Sequence, residues 1–360
     1  MTSHDIDKQQ MSALALNIKR WGQEIGFDYI GISDIELNKH QEYLDKWIEK
    51  GMHGDMEYMH KHGSKRSHPE QLVEGTQRVI SVRLDYAPNE IGNAEEVLLN
   101  KDIAYVSRYA LGRDYHKVLR GKLKKLSKMI EQEIGDFGYR VFTDSAPVLE
   151  KALAEKAGSG WIGKHSNLID SKTGSWFFIG ELYVDLPLPV DKPATNHCGS
   201  CQRCIELCPT GAIIAPYQVD ARLCISYLTI ELKDSIPVEL RSKMGNRIYG
   251  CDDCQLVCPW NKFAQVTKEP DFTPREQLTD QKLLTLFAWS EADFLSHTEG
   301  TAIRRIGYNS WLRNIAVALG NAEPSSAIIN ALQNKRKDAN DMLKEHIDWA
   351  LGQQTSHYSN

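Results

Sequence analysis

Cys198-Gly-Ser-Cys201-Gln-Arg-Cys204-Ile-Glu-Leu-Cys208-Pro209 is followed further along the chain by Gly250-Cys251-Asp-Asp-Cys254-Gln-Leu-Val-Cys258-Pro259, with Cys224 alone between the two runs. The first run has the C-x2-C-x2-C-x3-C-P spacing of two-cluster bacterial ferredoxins, whose fourth cysteine ligates the neighbouring cluster. The second run repeats the end of that pattern, and Cys224 is the cysteine left to complete its set. This spacing assigns Cys198, Cys201, Cys204 and Cys258 to one [4Fe-4S] cluster, and Cys208, Cys224, Cys251 and Cys254 to a second. Two structural zinc sites are the competing reading, because paired C-x2-C knuckles also bind zinc. Zinc knuckles, however, rarely place three cysteines at x2-x2 spacing before x3-Cys-Pro. All eight cysteines of the chain lie between Cys198 and Cys258, whereas a disulfide framework spreads its cysteines more widely.

Working outward, the N-terminal part alternates helix and strand signals. Met11, Leu14, Ile18 and Trp21 keep helical spacing, and Tyr29-Ile30-Gly31-Ile32 follows as a short apolar strand. Further strands are expected at Arg78 to Leu84, Tyr139 to Thr143 and Trp176 to Val184. A helix before the third strand carries Leu119, Leu123, Leu126 and Ile130 on one face and Lys117, Arg120, Lys124 and Lys128 on another. Leu186 to Pro193 is proline-rich, and since each proline removes a ladder donor, a boundary falls there. Beyond Phe263 three helical stripes follow: Leu312, Ile315, Ala316 and Leu319; then, past Pro324 and Ser325, Ile328, Ile329 and Leu332; then Leu343, Ile347 and Leu351. The fold class is α+β: an N-terminal α/β sandwich (1–190), a ferredoxin-like two-cluster module (191–265) and a C-terminal helical-repeat, HEAT-like domain (266–360).

The chain has 360 residues, enough for two or three domains and a buried cofactor, with 41% hydrophobic and 25% charged residues. No apolar stretch approaches the roughly 20 residues that span a bilayer, and Met1 to Gln10 lacks the apolar core of a secretion signal, so a cytoplasmic protein is expected. A formal charge of −5 argues against whole-surface attraction to nucleic acid and confines any RNA contact to a local basic patch.

Upstream of the cysteines stand Asp144-Ser-Ala-Pro-Val-Leu-Glu-Lys-Ala-Leu-Ala154 and Ala157-Gly-Ser-Gly-Trp-Ile-Gly-Lys-His-Ser-Asn-Leu-Ile169. By residue chemistry alone Asp144, at the end of a strand before Ser-Ala-Pro, reads as a helix cap; the same position is also where open sheets place functional groups.

These two runs resemble epoxyqueuosine reductases, as do Tyr109-x2-Gly112-x-Asp114-Tyr115-His116, Cys224-Ile-Ser-Tyr-Leu-Thr-Ile-Glu231 and Gly250-Cys-Asp-Asp-Cys-Gln-x-Val-Cys-Pro-Trp-Asn261. Five such segments in family order around a two-cluster insert are highly specific, and they cover most of the chain. The resemblance implies a cobalamin-binding N-terminal domain and reduction of the epoxide of epoxyqueuosine, at the tRNA wobble position, to queuosine. Electrons would pass from the two clusters to cobalamin, with Asp144 as proton donor. For Asp144 to serve near neutral pH, its pKa is expected to be raised by a desolvated pocket. Arg66, Ser107, His116, Asp144, Lys164, Ser166, Asn167 and Ser226 are the implied cobalamin contacts, turn chemistry being the alternative role of the short polar ones. The cobalamin signal Asp-x-His-x-x-Gly begins at Asp114-Tyr115-His116, but Leu119 stands at its glycine, so His116 is not read as a cobalt ligand.

The partners implied are a tRNA anticodon stem-loop and an electron-donor protein, the chain acting as a monomer. Arg222 and Lys233 are the expected tRNA contacts, with Arg241 and Lys243 near them. The lysine-rich helix from Lys117 to Lys128 is either a phosphate contact or a solvated face. Arg304, Arg305 and Arg313 beside Tyr308 and Trp311 offer charge interleaved with aromatics for RNA, unless Trp311 packs the tail's core. A reductive dehalogenase-like reductase would share the cofactors without the tail. A ferredoxin-like carrier would leave the first 190 residues unexplained. A metal-stabilised RNA-binding module would hold no corrinoid.

Overall fold

Tyr29–Ser33 (β1), Arg78–Asp85 (β2), Tyr139–Phe142 (β3) and Phe177–Val184 (β4) form one sheet in the order β1-β2-β4-β3. The structure, a computed structural model, describes residues 3–88 and 93–356; the extreme ends of the first and last segments therefore lie outside the described residues. Every neighbouring pair in the sheet is antiparallel, with Gly31 opposite Ser81, Ser81 opposite Glu181 and Glu181 opposite Phe142. The N-terminal segment is thus α+β. Because the sheet is antiparallel, Asp144 does not sit in the carboxyl-end crevice of parallel strands; it occupies a loop leaving an edge strand.

Strand alternation gives the sheet two unlike faces. Ile30, Ile32, Ile80, Val82, Leu84 and Leu182 point to one side and pack against two long helices, Ser3–Ile25 (α1) and Tyr115–Ile134 (α2). The helices supply Leu14, Ile18, Leu119, Leu123, Leu126 and Ile130, all buried. Asp114 caps α2 by accepting a hydrogen bond from the backbone N–H of His116. The other face carries Ser33, Ser81, Arg83, Asp85, Glu181 and Tyr183 among apolar residues, and Glu150–Lys156 (α3) lies across it. Its close approach requires Gly31, where an added Cβ would stand 2.0 Å from the carbonyl oxygen of Ala157.

The cysteine-bearing segment is stitched to this sandwich. Arg247–Tyr249 pairs in parallel with Tyr105–Val106, and Asn261 and Gln255 hydrogen-bond Ser175. Within it the helix Ile225–Ile230 (α4) follows Cys224. The tail contains Tyr308–Asn321 (α5), Ser326–Arg336 (α6) and Asp341–Ser356 (α7) around Ile315, Leu319, Ile328, Leu332, Leu343 and Ile347. Ser325 caps α6 by accepting from the N–H of Ile328, which explains the break read there.

Two residues considered for RNA lie in the interior. Trp311 is fully buried in the tail's core. Arg313 is also fully buried and donates to the carbonyls of Leu228, Leu232 and Asp234, tying α5 to α4 and to the segment that follows it. Neither is available to a phosphate. Among the described residues no helix is long and apolar enough to cross a membrane.

Candidate active site and cluster cavities

The sequence-assigned cysteines fall into two groups in space. Cys198, Cys201, Cys204 and Cys258 line a small cavity with Lys164, His165, Ile169 and Trp260. Cys208, Cys224, Cys251 and Cys254 open into a second cavity of about 560 Å³, within the roughly 300–1,000 Å³ of ligand pockets. His165 lines both and so stands between them. Its buried imidazole is pulled down to about 4 by burial and by Lys151, so it is neutral at physiological pH.

The large cavity gathers residues from every part of the fold. Phe177, Phe178 and Ile179 come from the start of β4, Tyr115 and His116 from the first turn of α2, and Glu150 and Lys151 from α3. Ser166 and Asn167 come from the loop after Trp161, Ser226 and Ile230 from α4, and Arg305 from the turn before α5. Of the residues expected to touch cobalamin, Ser107, His116, Asp144, Ser166, Asn167 and Ser226 line this cavity. Arg66 does not: it is buried and donates to the carbonyls of Tyr58 and Met59. Lys164 belongs to the smaller cavity, where its ammonium donates to the carbonyls of Gly199 and Cys201, 2.8 Å each. Arg222 is held by Asp220 and Lys233 is exposed; both flank α4 outside the cavity lining.

Asp144 is built into a strained turn. Its φ of 52° lies in the left-handed region that only asparagine, aspartate and glycine visit readily, and the turn directs the carboxylate toward α2. There the Tyr115 hydroxyl donates to it, and His116 Nε2 stands 3.3 Å from Oδ2. The other ring nitrogen of His116 lies 2.7 Å from Asp114, so the imidazole is clamped between two carboxylates. Tyr115 is itself stacked on Phe178, centroids 4.1 Å apart and planes 3° from parallel.

The electrostatics reverse one expectation. Burial pushes the Asp144 carboxyl up, but hydrogen bonds from His116 and Tyr115, with the charges of His116 and Arg305, outweigh it and hold the group at about 2. Burial pulls His116 down, yet Asp114 and Asp144 together raise it to about 9. At neutral pH the pair therefore holds one proton, on the histidine. Glu150, beside Asp144, is pushed up to about 8 by burial and by the Asp144 charge.

Sequence reasoning missed the working neighbours of Asp144. Tyr115 and Glu150 were inside the quoted runs but were given no role. Arg305, one of the basic residues offered for RNA, pairs with Glu231 on the cavity wall. Glu181, an acid within the apolar strand Phe-Phe-Ile-Gly-Glu-Leu-Tyr-Val, carried a signal in its wrong polarity.

Comparison with known proteins agrees with this geometry. Residues 66–145 match the family model "Epoxyqueuosine reductase QueG, DUF1730", and residues 197–261 match a 4Fe-4S double cluster binding domain. An epoxyqueuosine reductase of Pseudomonas aeruginosa is 56% identical over 340 residues, covering 94% of each chain. The chain belongs to the epoxyqueuosine reductase family. The enzyme of Escherichia coli K12 is likewise 56% identical, over 96% of this chain and 90% of that one. Among solved structures, an epoxyqueuosine reductase with a tRNA-Tyr epoxyqueuosine-modified stem loop superimposes with a TM-score of 0.85 at 28% identity, covering 95% and 90% of the two chains. One from Bacillus subtilis, described with its catalytic aspartate loop swung out of the active site, gives 0.88 at 27% identity over 96% and 92%.

Proposed function

We propose that this chain reduces the epoxide of epoxyqueuosine in a tRNA anticodon stem-loop to the alkene of queuosine, using two [4Fe-4S] clusters and cobalamin. The reaction takes up two electrons and two protons and releases one water. The observation that carries the reading is the meeting, in one cavity, of four cysteines of a cluster set with the Asp144–His116–Tyr115 constellation.

The residues present fit the cofactors. Each cysteine set has the four thiolates a cubane requires, and one set faces the large cavity, so that electrons can pass from cluster to cluster and then to a group bound there. The cavity is apolar at Leu168, Phe177, Ile179 and Ile213 and hydrogen-bonding at Ser166, Asn167 and Ser226, which suits a large flat macrocycle fringed with amides. Cobalamin bound there would supply low-valent cobalt, a two-electron reductant for the strained ring. Lys164 and Arg66 act at one remove, by holding the loops around Cys198–Cys201 and Tyr58–Met59.

Asp144 and His116 manage the proton. With the cavity filled, water is displaced from Asp144, which favours its neutral form and draws the proton from the His116 imidazolium. Asp144 then protonates the epoxide oxygen as the C–O bond breaks. Tyr115 keeps the carboxyl oriented. The swung-out aspartate loop described for the Bacillus subtilis relative supports assigning that mobile catalytic role to the Asp144 turn. Arg222 and Lys233, on the exposed flank of α4, contact tRNA phosphates.

The test is anaerobic reconstitution with iron, sulfide and cobalamin, then conversion of an epoxyqueuosine-containing stem-loop under a strong reductant. Stoichiometric queuosine is expected. Two zinc ions without sulfide, or clusters without corrinoid uptake, would refute the reading.

A further inference from the structure

The reduction consumes two protons, and the Asp144–His116 pair holds one. The polar face of the sheet offers a source for the other. Glu181 is fully buried in the middle of β4, and neither of its carboxyl oxygens has a hydrogen-bond partner among the described residues. A buried polar group left in that state demands an explanation. Its register partner on β3 is Phe142, two residues before Asp144, and its face of the sheet is the one that α3 covers with Glu150 at its first turn. The hydroxyls of Ser33, Ser81 and Tyr183 lie on the same face, also buried and unpartnered. A row of such unpartnered polar groups sets this face apart from an apolar seam.

We propose that Glu181 and Glu150 form a buried acid store that supplies the second proton of the reduction to Asp144. This rests on the function proposed above. Glu150 lines the cavity beside Asp144, and Glu181, outside that lining, is near enough for the Glu150 and Asp144 charges to act on it. After Asp144 has protonated the epoxide oxygen, Glu150 hands it a second proton and takes one in turn from Glu181. That second proton lets the hydroxyl leave as water, while the two electrons come from the clusters. The store refills from solvent between turnovers. Burial, Glu150 and Asp144 all push the Glu181 carboxyl well above the ordinary range, so it holds its proton at neutral pH.

The test is single turnover of the reconstituted holoenzyme on the stem-loop, comparing wild type with Glu181→Gln and Glu150→Gln. Gln matches the shape of a protonated Glu but cannot pass on the proton. Glu181→Gln is expected to keep its iron and corrinoid content and its KM for the stem-loop, to lose about a hundredfold in kcat, and to recover as the solution is acidified. A Glu181→Gln enzyme with wild-type kcat across the pH range overturns the store. Should that variant lose its clusters, infrared spectra of the wild type decide. A protonated carboxyl band must persist at neutral pH and shift in Glu150→Gln, and its absence overturns the proposal. Failure of the wild type itself to make queuosine would instead strike the functional reading, and the infrared result would remain separate from it.

Discussion

Asp114→Asn isolates the electrostatic clamp on His116. Asparagine caps a helix as well as aspartate does, so α2 keeps its first turn while the imidazole loses one of its two anionic neighbours. The rise of His116 from 6.5 to about 9 corresponds to about 3 kcal/mol. That is the net effect after burial has opposed it. Asp114 lies at 2.7 Å from one ring nitrogen and Asp144 at 3.3 Å from the other, so Asp114 accounts for about half, about 1.5 kcal/mol or roughly one pH unit. If the reacting proton starts on His116, single-turnover conversion of the stem-loop falls as pH climbs through about 9 in the wild type. In Asp114→Asn that alkaline limb moves down by about one unit. The same shift touches stability: a folded pKa above the unfolded one stabilises fully below about 6.5, and that contribution is lost as pH rises through about 9. An alkaline limb unmoved by Asp114→Asn would refute the assignment of the proton to His116.

Asp144→Asn should leave iron content and corrinoid spectrum intact while turnover drops by a hundredfold or more; a fully active variant would remove Asp144 from the chemistry. Cys254→Ala and Cys201→Ala, one from each set, should each halve the iron content, measured by chemical analysis, whereas loss of all iron from either would show that the sets are not separate clusters. Arg313→Met leaves the carbonyls of Leu228, Leu232 and Asp234 without their donor. At about 1 kcal/mol each, it should cost about 3 kcal/mol and lower the apparent Tm, and an unchanged melting curve would contradict its anchoring role. Gly31→Ala would drive α3 off the sheet, because the new methyl meets the Ala157 carbonyl; about 1–3 kcal/mol of overpacking cost should appear as lowered stability together with weakened turnover.

The cysteine spacing, the four sheet strands and the tail helices were legible because each is written in local terms: ligand intervals, period-2 apolar runs and 3.6-residue stripes. Strand order and direction were not, since antiparallel pairing of β4 with both β2 and β3 depends on contacts distant in sequence. The partners of Asp144 were hidden for the same reason. Tyr115 and His116 lie on a different element from Asp144, and only the packing of α2 beside the β3–α3 turn brings the imidazole to 3.3 Å. Burial was the least legible quantity. Arg313 and Arg305 look equivalent in a string of basic residues, yet one is sealed among backbone carbonyls and the other lines the cavity. The sign of the Asp144 shift followed from this as well: a pocket alone would raise a carboxyl, whereas a pocket shared with an imidazole and a phenol lowers it. Under the proposed function, an acid that rests ionised beside a charged histidine would gain its proton only when the cavity fills, which would tie proton delivery to the presence of substrate and cofactor.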